Sequence, residues 1–354
     1  MLVMPMKNFN DANRLTQGFT LIELLVALFL GAVLIFGAIQ VFDSSREGAR
    51  VQNAMASIQD GGRVAMELIS RDIRRADSSG CLADKSRIQN ILDASTANYL
   101  DDVHPFFNLG ATAGESGVTG VESALGDVIT DFNPLTAVST DLDVIDGTSI
   151  LRVVGAAPAC DGINALDNSS LDEDDPLRLR SACEIPEGTV LLVADCQRAD
   201  IFVKTNPAGA GLVIEHAATA AGGFANTQPT FSKTYKYDAQ ILVPFVREYF
   251  VAQGSNGNNS LYRRDSGRVQ ELVTNVVDFQ VIYGQDSNDN GAADIFAGTF
   301  ADMSTVVSVR ASLTVRSEQA IIREPGDVDS RPIIRNYTST NGIRNRVVAS
   351  SVGG

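Results

Sequence analysis

Glu23 stands where the sequence otherwise turns wholly apolar. From Leu24 to Phe42 no residue is charged, and carrying a carboxylate to the middle of a bilayer costs on the order of 2.5–3.5 kcal/mol. A charge kept at the lip of such a run is therefore a functional candidate. A second set of oxygen ligands comes much later. Asp286, Asn288, Asn290 and Gly291 have the spacing that opens a calcium loop, with Asp294 at the ninth position. The twelfth position is Ala297, where such a loop needs a bidentate Glu, so a remote acid such as Asp302 would have to complete the shell. Calcium held weakly, at ~10⁻⁴–10⁻³ M, is the chemistry these residues allow. The competing reading is a turn whose Asn and Asp side chains cap their own backbone. The run Asp172-Glu173-Asp174-Asp175 reads as a solvated acidic loop. His104 and His216 lie in no ligand pattern, which argues against a transition-metal site. No nucleophile elbow, phosphate loop or dinucleotide fingerprint occurs. No catalytic residue is assigned, and no cofactor beyond calcium is implied.

The composition narrows the classes further. The 354 residues carry a formal net charge of -15, which argues against nucleic acid and against a polybasic membrane-surface binder. Apolar residues make up 44% of the chain, enough for a sizeable core. Four cysteines, Cys81, Cys160, Cys183 and Cys196, all lie in the polar body. An even count in an exported domain suggests two disulfides, and four cysteines allow three pairings. Cys183 and Cys196 flank a strand-like segment, so a local bridge between them is expected, with Cys81 and Cys160 forming the longer-range pair.

The elements that position these residues begin with a helix. The 19 residues from Leu24 to Phe42, at about 1.5 Å each, match the ~30 Å hydrocarbon core of a bilayer. An ordinary secretory signal would be cut after the apolar region at small residues, and Gly37-Ala38-Ile39-Gln40 is a poor site. Beyond Phe42 the helical period persists through Val51, Met55, Ile58, Ala65, Ile69 and Ile73, with Gly62 in the missing place. Gly61-Gly62 is a kink or a close-packing point, and Asp77-Ser78-Ser79-Gly80 ends the helix. One helix from about residue 20 to about 77 is predicted. Downstream, Val307 to Arg316 alternates strictly between apolar and polar residues, as a strand with one buried face does. Residues 190–194, 245–251, 278–283 and 347–352 read as further strands. Ser266-Gly267 reads as a tight turn and residues 254–259 as a loop. Residues 101–180, rich in Gly, Asp, Ser and Thr, read as a looped insertion. The fold class is α+β, with an antiparallel sheet wrapped against the second half of the helix.

Gly18-Phe19-Thr20-Leu21-Ile22-Glu23 followed by the apolar run resembles the cleavage motif of type IV prepilins. The resemblance implies cutting between Gly18 and Phe19 by a membrane-embedded prepilin peptidase, with N-methylation of Phe19. It implies that Glu23 acts in assembly, pairing with the Phe19 amine of a neighbouring subunit. Residues 1–18 would then be a leader, 19–79 the pilin helix with its transmembrane part at about 21–42, and 80–354 the β-rich head. The stretch from Ser45-Arg46 through Arg71 to Ala76 with Gly80-Cys81, the segment from Cys183 to Phe202, and Leu261-Tyr262-Arg263-Arg264 with Leu272-Val273 and Val276 to Gln280 resemble the PilW group of minor pilins. Residues 84–150 resemble no family.

These likenesses imply a type IV pilin-like fold and a minor pilin of the type IV pilus, a structural and assembly-priming subunit. It would support motility, adhesion or DNA uptake. The implied partners are prepilin peptidase, other minor and major pilins and the inner membrane, without direct nucleic-acid binding. The implied location is a single-pass inner-membrane protein with a periplasmic head, then the pilus at the cell surface. A minor pseudopilin of a type II secretion system shares the same N-terminal chemistry and is the nearest alternative. A membrane-anchored enzyme or an adhesin head is a more distant one.

Overall fold

A run rich in Leu, Ala and Phe and free of Pro forms helix readily, and α1 (Leu21–Arg75) passes unbroken through the apolar segment and the amphipathic one after it. The computed structural model describes residues 20–82, 85–96, 118–122, 128–133, 138–159, 172–209, 211–254, 256–265, 268–322 and 330–346. The chain divides into two compact units, Met1–Asn53 and Ala54–Gly354.

In the first unit the apolar side chains of α1 face outward. Leu21, Leu28, Leu34 and Phe36 are 77, 63, 74 and 64% exposed, a surface that water does not favour and that lipid or another apolar helix must cover. The Arg46 guanidinium stands 4.2 Å over the Phe42 ring where the polar part begins.

The second unit holds the rest of α1 and all the strands. In chain order these are β1 (Ile88–Asn90), β2 (Val118–Glu122), β3 (Val128–Asn133), β4 (Val138–Asp143), β5 (Ser149–Pro158), β6 (Leu177–Arg178), β7 (Val190–Ala194), β8 (Ala199–Val203) and β9 (Val213–Ile214). They continue with β10 (Ala220–Ala221), β11 (Phe224–Ala225), β12 (Gln240–Gln253), β13 (Asn259–Asp265), β14 (Arg268–Val273), β15 (Val276–Gln285), β16 (Ile295–Ala297), β17 (Val306–Ile322) and β18 (Arg331–Gly342). The single expected sheet is in fact two main ones. An eight-stranded sheet runs β1-β8-β7-β12-β13-β14, with β5 on the other side of β12 and β2 beyond it, and a four-stranded sheet runs β16-β15-β17-β18. Pairing is antiparallel except between β1 and β8.

The predicted strands at 190–194, 245–251, 278–283 and 307–316 all form. The expected strand at 347–352 and the turn at Ser266-Gly267 lie outside the described residues. The expectation of a purely looped insertion is corrected at its centre, because β5 is a ten-residue strand paired with β12 from Leu151↔Tyr249 to Pro158↔Leu242. Leu151, Val153, Val154 and Ala156 are all buried there.

Helix α1 enters the head through Ile58, Gly62, Ala65, Met66, Ile69, Ser70, Asp72 and Ile73, which are buried at helical spacing. Gly62 is a close-packing point: a Cβ there would lie 2.3 Å from the Tyr337 ring, whose hydroxyl donates to the Ile58 carbonyl at 3.1 Å. Asp72 is fully buried and accepts from Arg247 Nη1 at 2.8 Å and Tyr249 Oη at 2.5 Å, while Arg247 also reaches Asp265 at 2.8 Å. The buried carboxylate is thus paired and hydrogen-bonded, the condition under which such burial is tolerated.

The end of α1 is closed by residues distant in sequence. Asp77 takes the left-handed conformation that follows many helices, at φ 62°. Its amide donates to the Val154 carbonyl at 2.9 Å, and Ala156 N–H donates to the Ser78 carbonyl at 2.8 Å, so the helix exit is stitched to β5. Gly155 permits this, since a Cβ would sit 2.5 Å from the Arg75 carbonyl oxygen. Asn345 Nδ2 donates to the Ala76 carbonyl at 2.8 Å. Arg346 pairs with the Asp77 carboxylate and donates to the Met303 and Val306 carbonyls at 2.6 Å.

The cysteine pairing differs from the expected one. Cys81, just past the helix, is bonded to Cys196 in the turn between β7 and β8, across 115 residues and with 4.8 Å between Cα atoms. The local Cys183–Cys196 bridge is therefore ruled out, and so is Cys81–Cys160. The reason is spatial. The helix exit brings Gly80 against Leu242 and Ala194, which places Cys81 beside the β7–β8 turn. Cys183 is also disulfide-bonded, and Cys160 lies outside the described residues.

Candidate functional site

The processing residues Gly18 and Phe19 lie outside the described residues; the site can be built from Thr20 onward. Thr20 and Glu23 form a capping box. The Glu23 carboxylate accepts from Thr20 N–H at 3.0 Å and Thr20 Oγ1 at 2.9 Å, and Glu23 N–H donates to Thr20 Oγ1 at 3.4 Å. The helix needs this arrangement, because its first amides have no partner within the helix. The Thr-x-x-Glu spacing at the entry to an apolar run is a readable signal for it, and sequence reasoning passed over Thr20 in favour of Glu23 alone. Next to the carboxylate, Ile22, Val26, Ala27 and Leu30 line a shallow groove along one helix face. An acceptor at one end of an apolar groove suits a neighbouring apolar helix that brings a positive charge to Glu23.

The Asp286 loop is occupied with its own backbone. Asp286 is buried. Its Oδ1 accepts from Asn288 and Asn290 N–H at 3.3 and 3.2 Å, and its Oδ2 from Gly291 N–H at 2.7 Å. Asp294 accepts from Ser287 N–H at 3.0 Å, Ser287 Oγ at 3.1 Å and Asn288 Nδ2 at 3.1 Å. Asn288 and Asn290 side-chain oxygens accept from Asn290 and Ala292 N–H. Asp302 does not turn towards the loop. It caps the turn at Met303–Thr305, accepting from Ser304 N–H at 2.9 Å and Ser304 Oγ at 2.5 Å, and these bonds lower its pKa. Among the described residues no three His, Cys, Asp or Glu side chains gather as a metal-binding group.

The remaining candidates take structural positions. Asp172, Glu173 and Asp174 are exposed, and Asp172 N–H is capped by Asp175 Oδ2 at 3.0 Å. His104 lies outside the described residues. His216 is buried between aromatic rings, 3.9 Å from Phe231 and 5.7 Å from Phe202 between centroids, with Nε2 3.1 Å from the Asp175 carbonyl. Burial lowers its pKa. Sequence reasoning did not single out Asp200, which is fully buried in β8 and receives Tyr235 Oη at 2.6 Å and Ser232 Oγ at 2.7 Å. Burial raises its pKa.

Two protein families match the chain. Residues 13–39 match the Prokaryotic N-terminal methylation motif, which spans Gly18, Phe19, Glu23 and much of the apolar run. Residues 248–352 match Type IV Pilus-assembly protein W, a region that runs from within β12 through the four-stranded sheet and past Arg346. No curated protein and no solved structure matches. A methylation motif at one end, a PilW match at the other, and a long apolar helix leading into a strand-rich head together support a PilW-like pilin of the type IV pilus.

Proposed function

We propose that this chain is a minor pilin that helps to prime or cap the type IV pilus and thereby supports motility, adhesion or DNA uptake. It is stored in the inner membrane with its head on the periplasmic side, cut by prepilin peptidase between Gly18 and Phe19, and methylated on Phe19. In this reading the protein is not an enzyme. Its chemistry is the handover of one carboxylate between partners. Before assembly Glu23 is satisfied by Thr20; in the filament it faces the positive amine of a neighbouring subunit. The observation that carries the reading is the capped, outward-facing apolar helix within the matched methylation motif.

Mass spectrometry of the sheared filament fraction tests it. The mature chain is expected to start at Phe19 with a methylated amine. The leader holds two of the 28 basic and one of the 43 acidic residues, leaving 26 against 42 and a net charge of -16. A mature N-terminus elsewhere overturns the proposal, as does recovery of the protein only with a secretion apparatus.

A further inference from the structure

Among the described residues, strand β18 is the last strand of the four-stranded sheet and pairs as a strand only with β17. Ile343 N–H donates to the Val307 carbonyl at 2.8 Å. In an antiparallel ladder the residues facing the partner alternate, so the odd positions 335–343 face β17. Ile334, Asn336, Thr338, Thr340 and Gly342 then direct their amides and carbonyls to the open side, and all five are exposed. Proteins usually blunt such an edge with Pro, charge or a bulge. Pro332 and the irregular register opposite Arg316 to Ile322 do so at the start of β18. From Ile334 to Gly342 none of these devices occurs except Arg335.

The charge of this edge sets it apart from the rest of the chain. Residues 334–345 hold Arg335 and Arg344 and no acid, within a protein of net charge -15; Arg346 beyond them is committed to Asp77. The direction of β18 is also fixed. Tyr337, Ser339 and Asn341 meet Gly62, Ser70 and Arg74 in that order, so β18 runs in the same sense as the last turns of α1. Two copies joined symmetrically through β18, antiparallel edge to edge, would point their helices in opposite senses. Subunits that share a membrane do not have that arrangement.

We propose that the β18 edge from Ile334 to Gly342 takes up an extended acidic strand from a different pilin subunit, continuing the four-stranded sheet across the contact. Main-chain bonds would supply the pairing, as in other strand-addition complexes, and the arginines would select a strand of opposite charge. This rests on the pilin reading above.

The test places the photo-crosslinker p-benzoylphenylalanine at position 338 of the full chain in its host. The expected adduct joins position 338 to an extended segment of another methylation-motif subunit, with more Asp and Glu than Lys and Arg. Thr338→Pro and Thr340→Pro remove outward amides and leave the main-chain bonds to β17 in place, where proline is tolerated on an edge, at the loss of the side-chain bonds to Ser312 and Arg310, respectively. With the crosslinker moved to Asn336, either substitution is expected to lower the adduct at least tenfold while the melting temperature stays near that of the parent. An adduct to a second copy of this chain, to a helix or to a basic segment overturns the proposal. So does the absence of any adduct, or an adduct that survives in whichever proline variant remains folded. If the mature N-terminus is not Phe19 but the acidic-strand adduct forms, the pilin reading fails and the edge assignment stands. Correct processing without an adduct sinks the edge assignment alone.

Discussion

A methyl group added at Gly62 would meet the Tyr337 ring at 2.3 Å, and that ring is held by its hydroxyl bond to Ile58. A methyl group at Gly61 would meet only Val273 at 3.4 Å, ordinary contact. Both changes remove a glycine from a helix, worth about 1 kcal/mol each. Gly61→Ala should therefore raise stability by up to about 1 kcal/mol. Gly62→Ala should lower it, because overpacking typically costs about 1–3 kcal/mol. Thermal melts of the full chain in detergent check the opposite signs. Glu23→Val belongs to the same scale. It removes a charge at the start of the apolar run, so membrane insertion should be equal or better, while recovery in sheared filaments should fall about tenfold or more. Normal recovery would show that no neighbour uses the carboxylate. Glu23 could be read from sequence because nothing else near it is charged; that Gly62 serves contact with Tyr337 could not, because that residue lies 275 positions away.

Elements were legible in proportion to how one-sided they are. The last turns of α1 bury one stripe, and β17 buries Val307, Val309, Ala311, Leu313 and Val315 and leaves alternate residues outside, so each carries its period in the sequence. The strand β5 carries none. Sheet and helix exit enclose Val153, Val154 and Ala156, and Gly155 is required by the close approach of Arg75, so its sequence reads as a small-residue loop. The aromatic layer over β8 supports a prediction at this scale. Burial holds His216 neutral by lowering its pKa from the ordinary 6.5. A depressed folded-state pKa gives stability that is present above pH 6.5 and is lost as the pH falls below it, by at most about 1.4 kcal/mol per pH unit. His216→Phe should flatten the melting temperature between pH 6.5 and 5, and an unchanged slope would assign that dependence to other groups.

For the molecule as a whole, the family, the anchor and the α+β plan were legible, and the long-range closures were not. The Cys81–Cys196 bond spans 115 residues, and only the packed helix exit brings its ends together. Replacing both cysteines by serine should lower stability by about 2–4 kcal/mol by freeing a long loop in the unfolded chain. A calorimetric loss well under 1 kcal/mol would show that the helix exit is held without the bond.

The cap on α1 ties its C-terminal end to residues far along the chain. Ala76 and Asp77 wait for Asn345 and Arg346, 269 positions later, and closures of that span are slow to find during folding. A chain released early, lacking residues beyond 340, would keep the apolar helix and most strands but leave the helix end open and the Met303 and Val306 carbonyls without their arginine. The C-terminal end of the apolar helix is thus locked to the head only after residues 345 and 346 have been delivered.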